Sequence, residues 1–341
     1  MLVLGIETSC DETAAAVLQD GNRLLSSIIH SQNEIHSRYG GIVPELAGRS
    51  HIERIHHVVA DSLEQAKAKI ADIDLIAVTM GPGLMGSLLV GLNTAKAMAY
   101  ASQKPLLGIN HLEGHLLAIF LQEKVEFPYL ALIVSGGHTD LYRVDGFGKY
   151  TVLGRTRDDA AGESFDKVAK MLGMGYPGGP LIEKKARRGN PQAHKFPRAL
   201  LDRNSLDFSF SGLKTSVRNL VQKQNGQQAQ LSVADISASF QEAVVEVLVT
   251  KTLRACAVES LSRIVVTGGV AANGYLRARM TSALSQKGLS GYFPQPVFCT
   301  DNAAMIACAG FYRYRHCPAS PSNPLTLDAN ANLSFESGLN P

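Results

Sequence analysis

Several short motifs that would assign this chain to a common enzyme class are missing from its sequence. No G-x-x-x-x-G-K-[ST] occurs, which excludes a Walker-type nucleotide site, and no G-x-G-x-x-G follows the first apolar run, which disfavours a dinucleotide fold. No G-x-S-x-G occurs either, so a hydrolase nucleophile elbow is excluded. The five cysteines are scattered and include no C-x-x-C pair, so neither a disulfide framework nor a four-cysteine zinc site fits.

Long apolar runs and a strong excess of one charge are also absent. No run approaches the roughly 20 apolar residues needed to span a bilayer. The amino terminus enters an apolar strand pattern without a charged leader segment. The net charge of +3 is slight, which permits a nucleic-acid partner without indicating one. We therefore expect a soluble, reduced, cytoplasmic protein that has no membrane association.

The strand patterns of the chain indicate an internal duplication. The 341 residues exceed the size at which single cores usually split, so two domains or lobes are expected. Residues 2–6 and 14–18 are apolar runs on either side of a polar turn, and residues 130–134 and 140–144 repeat this hairpin pattern. An α/β fold with one lobe for each copy follows from this repetition.

A second pair of matched segments supports the duplication. Residues 75–79 form an apolar run that leads into a glycine turn and a helical pattern, and residues 263–267 do the same. Such strand–glycine–helix connections can present backbone N–H groups to a phosphate, although each alone is also an ordinary connection. Residues 50–70 and 232–258 show the apolar spacing of amphipathic helices.

The segment His111-Leu-Glu-Gly-His115 is the strongest candidate for a metal site. On a helix the two imidazoles lie on one face about one turn apart, and they could share one transition-metal ion or be two polar helix residues. Glu113 points away from that face, so the arrangement of an H-E-x-x-H zinc protease is not present.

Asp301 is the best candidate for a third ligand. It lies between a strand-like apolar run near Phe298 and a helical pattern over residues 303–312. The sequence Thr-Asp-Asn before a helix is also a good N-cap, and this alternative remains open. Two histidines and one carboxylate suit iron(II) or zinc. His138 is a possible fourth ligand, a phosphate contact or a turn residue.

The densest basic cluster of the chain is formed by Lys184, Lys185, Arg187 and Arg188. A solvated helix face explains it as well as a nucleic-acid contact does.

Ten motifs in order carry a specific resemblance to a known family. They occupy residues 4–13, 36–47, 81–84, 111–115, 134–139, 158–167, 176–180, 208–214, 268–273 and 300–302. Together they resemble the bacterial tRNA N6-adenosine threonylcarbamoyltransferases, once described as O-sialoglycoprotein endopeptidases. The resemblance covers about residues 2–315. Gly48 departs from it, because the family usually has serine there.

The resemblance implies a two-lobed actin-like ATPase fold, the fold of actin, sugar kinases and heat-shock chaperones, with a five-stranded mixed sheet flanked by helices in each lobe. We expect an N-terminal lobe of residues 1–108 plus about 302–316. The C-terminal lobe is expected over residues 109–301, with an insertion at about 155–218. Residues 317–341 are expected to be a poorly ordered tail.

The resemblance also implies an acyltransferase activity. The threonylcarbamoyl group of L-threonylcarbamoyladenylate would move to N6 of the adenosine 3′ of the anticodon, in tRNAs that read codons beginning with A, and AMP would leave. A non-catalytic nucleotide-binding scaffold and, less favoured, a metallopeptidase are the alternatives.

Site residues follow from the matching motifs. His111, His115 and Asp301 would bind one metal ion, usually iron(II), with zinc possible. The expected substrate contacts are Ile133, Val134, Ser135, Gly136 and Gly137 at the adenylate and phosphate, and Asp166, Gly179, Glu183 and Asn273 at the nucleoside. No catalytic base can be named from the sequence, and Glu12 is one unranked candidate.

The implied partners are tRNA, threonylcarbamoyladenylate, a degenerate paralogue that forms a heterodimer, a small ATPase and an enzyme that makes the adenylate. The apolar helix faces of the first lobe are the expected surface for the paralogue.

Overall fold

A computed structural model describes residues 1–201, 205–224, 231–317 and 326–335 of the chain. The strands are β1 (Leu2–Glu7), β2 (Glu12–Gln19), β3 (Arg23–Ser31), β4 (Leu75–Gly81), β5 (Leu106–Asn110), β6 (Tyr129–Val134), β7 (Thr139–Gly146), β8 (Lys149–Arg155), β9 (Arg263–Thr267) and β10 (Ser290–Tyr292). The helices are α1 (Asn33–Ser37), α2 (Pro44–Gln65), α3 (Met85–Ser102), α4 (His111–Leu117), α5 (Ala161–Met171), α6 (Gly178–Ala186), α7 (Ser211–Gln224), α8 (Val233–Glu259), α9 (Gly274–Gln286), α10 (Pro296–Cys299) and α11 (Ala303–His316).

The chain forms two compact units. The first comprises Met1–Val125, Gly146–Tyr150 and Asp301–Pro341, and the second comprises Glu126–Asp145 and Thr151–Thr300. Residues 109–125 thus belong with the first unit, whereas the expected N-terminal lobe ended at residue 108. The reason is that α4 packs against α11, which lies on the first sheet.

The first unit is built on a five-stranded sheet in the order β3-β2-β1-β4-β5. β1 is antiparallel to β2 and parallel to β4, so that Ile6 lies beside Ala15 on one side and Val78 on the other. Helices cover both faces of this sheet, and residues 3–6 of β1 are therefore all buried and nonpolar rather than alternating.

The second unit repeats this plan. Its sheet has the order β10-β9-β6-β7-β8, with β6 antiparallel to β7 and parallel to β9. Four buried aromatic residues from the insertion and α8 fill its core: Phe165, Phe208, Phe210 and Phe240. The two sheets confirm the predicted α/β class with a duplicated mixed five-stranded sheet.

Helix α11 packs closely against both α4 and the first sheet. Gly114 of α4 packs so closely on α11 that an added Cβ would lie 2.8 Å from the Ile306 side chain. Gly5 of β1 is in contact with the backbone of Ala303, at the start of α11, and leaves no room for a side chain. The start of α11 is therefore held next to both α4 and β1.

One expected helix has different bounds, and one expected strand is a helix. The helix expected over residues 50–70 is present as Pro44–Gln65, and Pro44 in its first turn suits a helix start. The segment near Phe298 is the short helix Pro296–Cys299 rather than a strand, and proline again begins it.

Part of the expected tail is packed against the first unit. Leu327 is only 9% exposed and joins the core of that unit. The backbone N–H of Asn330 donates to the Met80 carbonyl at 2.8 Å, and Gly83 N donates to the Ala331 carbonyl at 3.1 Å. Residues 326–335 are therefore ordered, contrary to expectation. The rest of the expected tail after residue 317 lies outside the described residues.

Across the described ranges, no helix combines the length and the apolar character that crossing a membrane would require.

Candidate metal centre and nucleotide-binding residues

Helix α4 places both predicted histidines on one buried face. Asn110 caps this helix, its side-chain oxygen accepting from Leu112 N at 2.9 Å. The rings of His111 and His115 are 4.8 Å apart and nearly perpendicular. The cap fixes the first turn of the helix and with it the direction of the His111 side chain.

Asp301 completes the cluster that the sequence suggested. Its Oδ1 lies 3.2 Å from His115 Nε2 and 3.4 Å from His111 Nε2. The alternative role as an N-cap belongs to the next residue, because Asn302 Oδ1 accepts from Met305 N at 2.9 Å. The Asp301 carboxylate is therefore available to the histidines.

The residues fit a divalent transition metal. The candidate ligand atoms of His111, His115 and Asp301 lie within 4.8 Å of one another. Within the part of the chain that the structure describes, these three form the one group of His, Cys, Asp and Glu side chains with such spacing, and His138 is not part of it. His115 Nδ1 is buried and has no hydrogen-bond partner on the described residues, which leaves its ring without a competing structural role. Two imidazoles and a carboxylate are ligands for iron(II) or zinc.

Glu7 orients His111 from the side opposite Asp301. Its Oε2 lies 2.9 Å from His111 Nδ1 and accepts from the Thr79 hydroxyl at 2.7 Å, and Ser9 N donates to Oε1. A carboxylate on Nδ1 holds the imidazole in the tautomer whose Nε2 lone pair is free for a metal. Glu7 is not among the site residues predicted from the sequence, although a carboxylate at the end of an entirely apolar strand was the available signal.

The electrostatics of this group favour a bound cation. Burial opposes the ionisation of Glu7 and Asp301, yet the neighbouring His111 lowers the pKa of both carboxyls below their ordinary values. Burial alone would lower the pKa of His111, but Asp301 and Glu7 raise it well above its ordinary value. Two carboxylates therefore favour positive charge around one imidazole.

Glu12 and Glu113 are two further carboxylates of the first unit. Burial, followed by the neighbouring Asp11, raises the pKa of Glu12 to about 10. A carboxyl group that is protonated at neutral pH does not suit a general base. Glu113 points away from the histidines, as predicted, and accepts from the Tyr150 hydroxyl at 2.9 Å.

The second unit carries the predicted substrate-binding residues. Ser135, Gly136 and Gly137 form the turn between β6 and β7, where Ser135 N donates to the His138 carbonyl at 2.8 Å. Gly136 and Gly137 are exposed, and an added Cβ on either would meet nothing within 4 Å. This open turn leaves backbone groups accessible to an anion.

The strand residues before this turn, Ile133 and Val134, are fully buried. Gly268 has φ of +93° and packs against the Val134 carbonyl, a conformation and a contact that a side chain would not permit.

One of the predicted nucleoside contacts, Glu183, lines a cavity, and a second, Asn273, is next to a lining residue in sequence. A cavity of about 420 Å³ is lined by Glu183, Gln241, Gly274 and Tyr275, among others. Glu183 Oε1 accepts from Gly274 N at 3.2 Å, next to Asn273. The side-chain amide of Asn273 donates to Gln241 at 2.9 Å, while its oxygen caps α9. Glu183 and Asn273 are thus brought together.

The remaining two predicted contacts lie around the start of α6. Asp166 accepts from Gly178 N at 2.7 Å and so anchors the first turn of that helix. Gly179 has open space around its Cα, where an added Cβ would meet nothing within 4 Å. A larger depression of about 530 Å³ on the first unit, at the end of α3, contains none of the predicted site residues.

Comparisons with known sequences identify a matching family. A model of the TsaD family, described as tRNA N6-adenosine threonylcarbamoyltransferase, matches residues 23–308. The protein of that name from Desulfitobacterium hafniense (strain Y51) is 56% identical over 322 residues, which are 94% of each chain. The Geobacter metallireducens protein of the same name is 54% identical over 337 residues, which are 98% of each chain.

Solved structures of more distant proteins share the fold. Full-length HypF, in a phosphate- and nucleotide-bound form, superposes with a TM-score of 0.62 at 13% identity over 94% of this chain and 56% of that longer one. Component A of the Acidaminococcus fermentans (R)-2-hydroxyglutaryl-CoA dehydratase gives a TM-score of 0.51 at 15% identity, over 92% of this chain and 97% of that one. These likenesses show the actin-like ATPase fold.

Proposed function

Because the chain belongs to the tRNA N6-adenosine threonylcarbamoyltransferase family, we propose that it transfers a threonylcarbamoyl group to N6 of an adenosine in tRNA. The chain is a transferase. The donor in our proposal is L-threonylcarbamoyladenylate, and the acceptor is the adenosine 3′ of the anticodon in tRNAs that read codons beginning with A. The new bond joins N6 to the carbonyl carbon, the bond from that carbon to the phosphate oxygen breaks, AMP leaves, and N6 releases one proton.

The observation that carries this proposal is the convergence of His111, His115 and Asp301 behind an orienting Glu7. A divalent ion held there would supply Lewis acidity to the carbonyl and a fixed position for the donor. Iron(II) is the ion that we favour, one per subunit, with zinc as the alternative, because two imidazoles and one carboxylate suit both.

The second unit supplies the adenylate contacts in this proposal. Gly136 and Gly137, the exposed residues of the turn, offer backbone N–H groups to the phosphate in this proposal. Ser135, whose N–H donates to the His138 carbonyl, and the buried Ile133 and Val134 hold the turn in place. Asp166 and Gly179 shape the start of α6, and Glu183 and Asn273 lie beside the cavity that we assign to the nucleoside.

The alternatives are not favoured. A metallopeptidase of the H-E-x-x-H type needs a glutamate beside the metal, and Glu113 is instead bound to Tyr150 on the other side of α4. A non-catalytic scaffold has no need of three converging ligand atoms or of the carboxylate that orients one of them.

Accessory proteins belong to the proposal as well. We assign a degenerate paralogue to the apolar side chains that α2 and α3 expose, since Ile52 is 63% and Met85 45% exposed. Gly48 of α2 lies against the backbone of Gly86 of α3. A small ATPase and an enzyme that makes the adenylate complete the set, and we place the reaction in the cytoplasm.

The direct test is an assay of tRNA modification by mass spectrometry of nucleosides. Purified full-length protein, loaded with metal, is incubated with threonylcarbamoyladenylate, unmodified tRNA and the accessory proteins. We expect threonylcarbamoyladenosine from the wild type and a loss of at least about a hundredfold in His111→Ala and Asp301→Ala, since Lewis-acid stabilisation contributes several kcal/mol. Metal content is measured on the same samples, and His316→Ala, an exposed histidine on α11, is the matched control.

Product formation by metal-free but folded His111→Ala would refute the metal assignment. An inactive wild type, with metal and partners verified as present, would refute the transferase proposal and favour the scaffold.

A further inference from the structure

The end of α6 and the loop that follows it carry an unusual concentration of positive charge. Residues 184–198 contain six lysines and arginines and no aspartate or glutamate. Five of these cations are exposed, and one of them, Arg187, pairs with Glu183. The other four form what we call the α6 basic strip: Lys184, Lys185, Arg188 and Lys195. Because the whole chain has a net charge of only +3, this segment is a local feature rather than a reflection of overall composition.

Several other cationic side chains of the second unit are held in ion pairs. Arg157 pairs with Asp207 at 2.7 Å and Lys167 with Asp159 at 2.8 Å, and Arg198, which ends the same segment, pairs with Glu246 at 2.8 Å. Among the described residues, no carboxylate lies within ion-pair distance of the four strip residues. Their charge is therefore available to a partner.

The backbone that carries the strip is firmly held. Ile182 and Ala186 bury the inner face of α6. Beyond the helix, Asn190 N donates to Asp235 at 2.8 Å and His194 N donates to the Ser239 hydroxyl at 3.1 Å, while Phe196 is buried. Fixed cations lose less backbone entropy on binding than cations on a mobile loop.

The strip borders the cavity that we assign to the nucleoside. Glu183 and Ala186 of α6 line that cavity, and so do Arg187, Gly189 and Pro191 of the segment that follows. The exposed cations thus alternate in sequence with residues of the cavity wall. A polyanion bound along the strip would pass beside a site for a nucleotide.

We propose that the α6 basic strip binds the phosphate backbone of the tRNA substrate. The proposal rests on the proposed function, which makes a tRNA the macromolecular substrate. Several fixed and unpaired cations in one segment match the repeating charges of a nucleic-acid backbone, and such contacts position a nucleic acid without reading its sequence. The strip is a positioning surface and not part of the catalytic group.

Binding of unmodified tRNA at several salt concentrations tests the strip. The probe is a fluorescently labelled tRNA transcript that reads codons beginning with A, titrated with the full-length protein together with any accessory proteins that modification requires. The variant replaces all four strip residues, Lys184, Lys185, Arg188 and Lys195, with Ser, and leaves Arg187 in the cavity wall unchanged. We expect the slope of log affinity against log salt to become shallower by about 3, at 0.7–0.9 per lost phosphate contact. The affinity at low salt should fall at least about tenfold.

A control with the same change in charge separates local contacts from net charge. Replacing Lys69, Lys124, Lys223 and Lys287 with Ser removes four exposed cations elsewhere on the chain. We expect this variant to keep the wild-type salt slope. Circular dichroism and the melting temperature verify that both variants are folded.

A strip variant with the wild-type slope would overturn the proposal, and so would an equal loss in the control. Binding of AMP is the second measurement: if the strip variant lost AMP binding to the same extent as tRNA binding, the cations would act on the small nucleotide and the proposal would be wrong. Failure of the proposed function can be told apart from failure of the strip proposal. If the proposed function is wrong, the wild type forms no threonylcarbamoyladenosine, whatever its affinity for tRNA.

Discussion

Glu7 shows how one buried carboxylate can orient a metal ligand without being a ligand. It is fully buried, and its two oxygens take a hydroxyl from Thr79, an N–H from Ser9 and a ring nitrogen from His111. These contacts restrict the movement of the Glu7 side chain. The restrained carboxylate in turn fixes the orientation of the His111 ring. Outer contacts of this kind fix both the tautomer and the direction of the ligand.

Substitution of Glu7 should weaken metal binding more than it weakens the fold. We expect Glu7→Gln, which keeps an acceptor but loses the charge, to reduce affinity for Zn²⁺ about tenfold, and Glu7→Ala up to about a hundredfold. Competition with a chromophoric chelator measures the affinity, and the exposed substitution Glu64→Gln is the control. Unchanged affinity in a folded Glu7→Ala protein would mean that other groups orient His111.

At the scale of elements, the metal centre depends on how α4 and α11 are joined. α4 carries the two histidines and α11 begins two residues after Asp301. On the far side of α4 from the histidines, Glu113 Oε2 lies 3.5 Å from Arg313 Nη1 of α11, and both residues are buried. This ion pair connects the two helices that carry the three ligands.

Breaking this pair should destabilise the first unit, because removal of one partner leaves a buried charge without compensation. We expect Glu113→Ala and Arg313→Ala each to cost about 3–5 kcal/mol, and the double variant Glu113→Ala with Arg313→Ala to cost less than the sum. Urea unfolding followed by circular dichroism measures these costs, since the chain has no tryptophan. Strictly additive losses would show that the two side chains do not interact.

At the scale of the whole molecule, each unit is assembled from distant parts of the chain. The first unit combines the amino-terminal 125 residues with α11 and the segment that follows it. In that segment, Lys96 donates to the Leu327 carbonyl at 2.8 Å, a contact across 231 positions of sequence. The carboxyl-terminal part of the chain therefore contributes to the core of the first unit.

Truncating the side chain at Leu327 should accordingly weaken the first unit. We expect Leu327→Ala to lower the free energy of unfolding by about 2–3 kcal/mol, the range for a nearly buried leucine. The control is Val258→Ala, at a side chain that is 64% exposed, where the change should stay within about 0.5 kcal/mol. Thermal and urea unfolding measure both variants, and equal behaviour would mean that the segment contributes nothing to that core.

Much of the architecture could be predicted from local patterns. The apolar runs at residues 2–6 and 130–134, each followed by a polar turn and a second strand, predicted the two hairpins at the centre of the two sheets. The spacing of His111 and His115 predicted their common helix face. These features depend on side-chain periods of two and 3.6 residues, which can be recognised in the amino-acid sequence itself.

Sequence alone therefore determined the duplicated α/β fold, the family and the two histidines. Only the tertiary structure decided that Asn302 caps α11 while Asp301 faces the histidines, that Glu7 lies against His111, and that Glu113 pairs with Arg313. The reason is physical. A buried polar group must find a partner, and which one it finds depends on the packing of segments that are more than a hundred residues apart, a distance over which local periodicity carries no information.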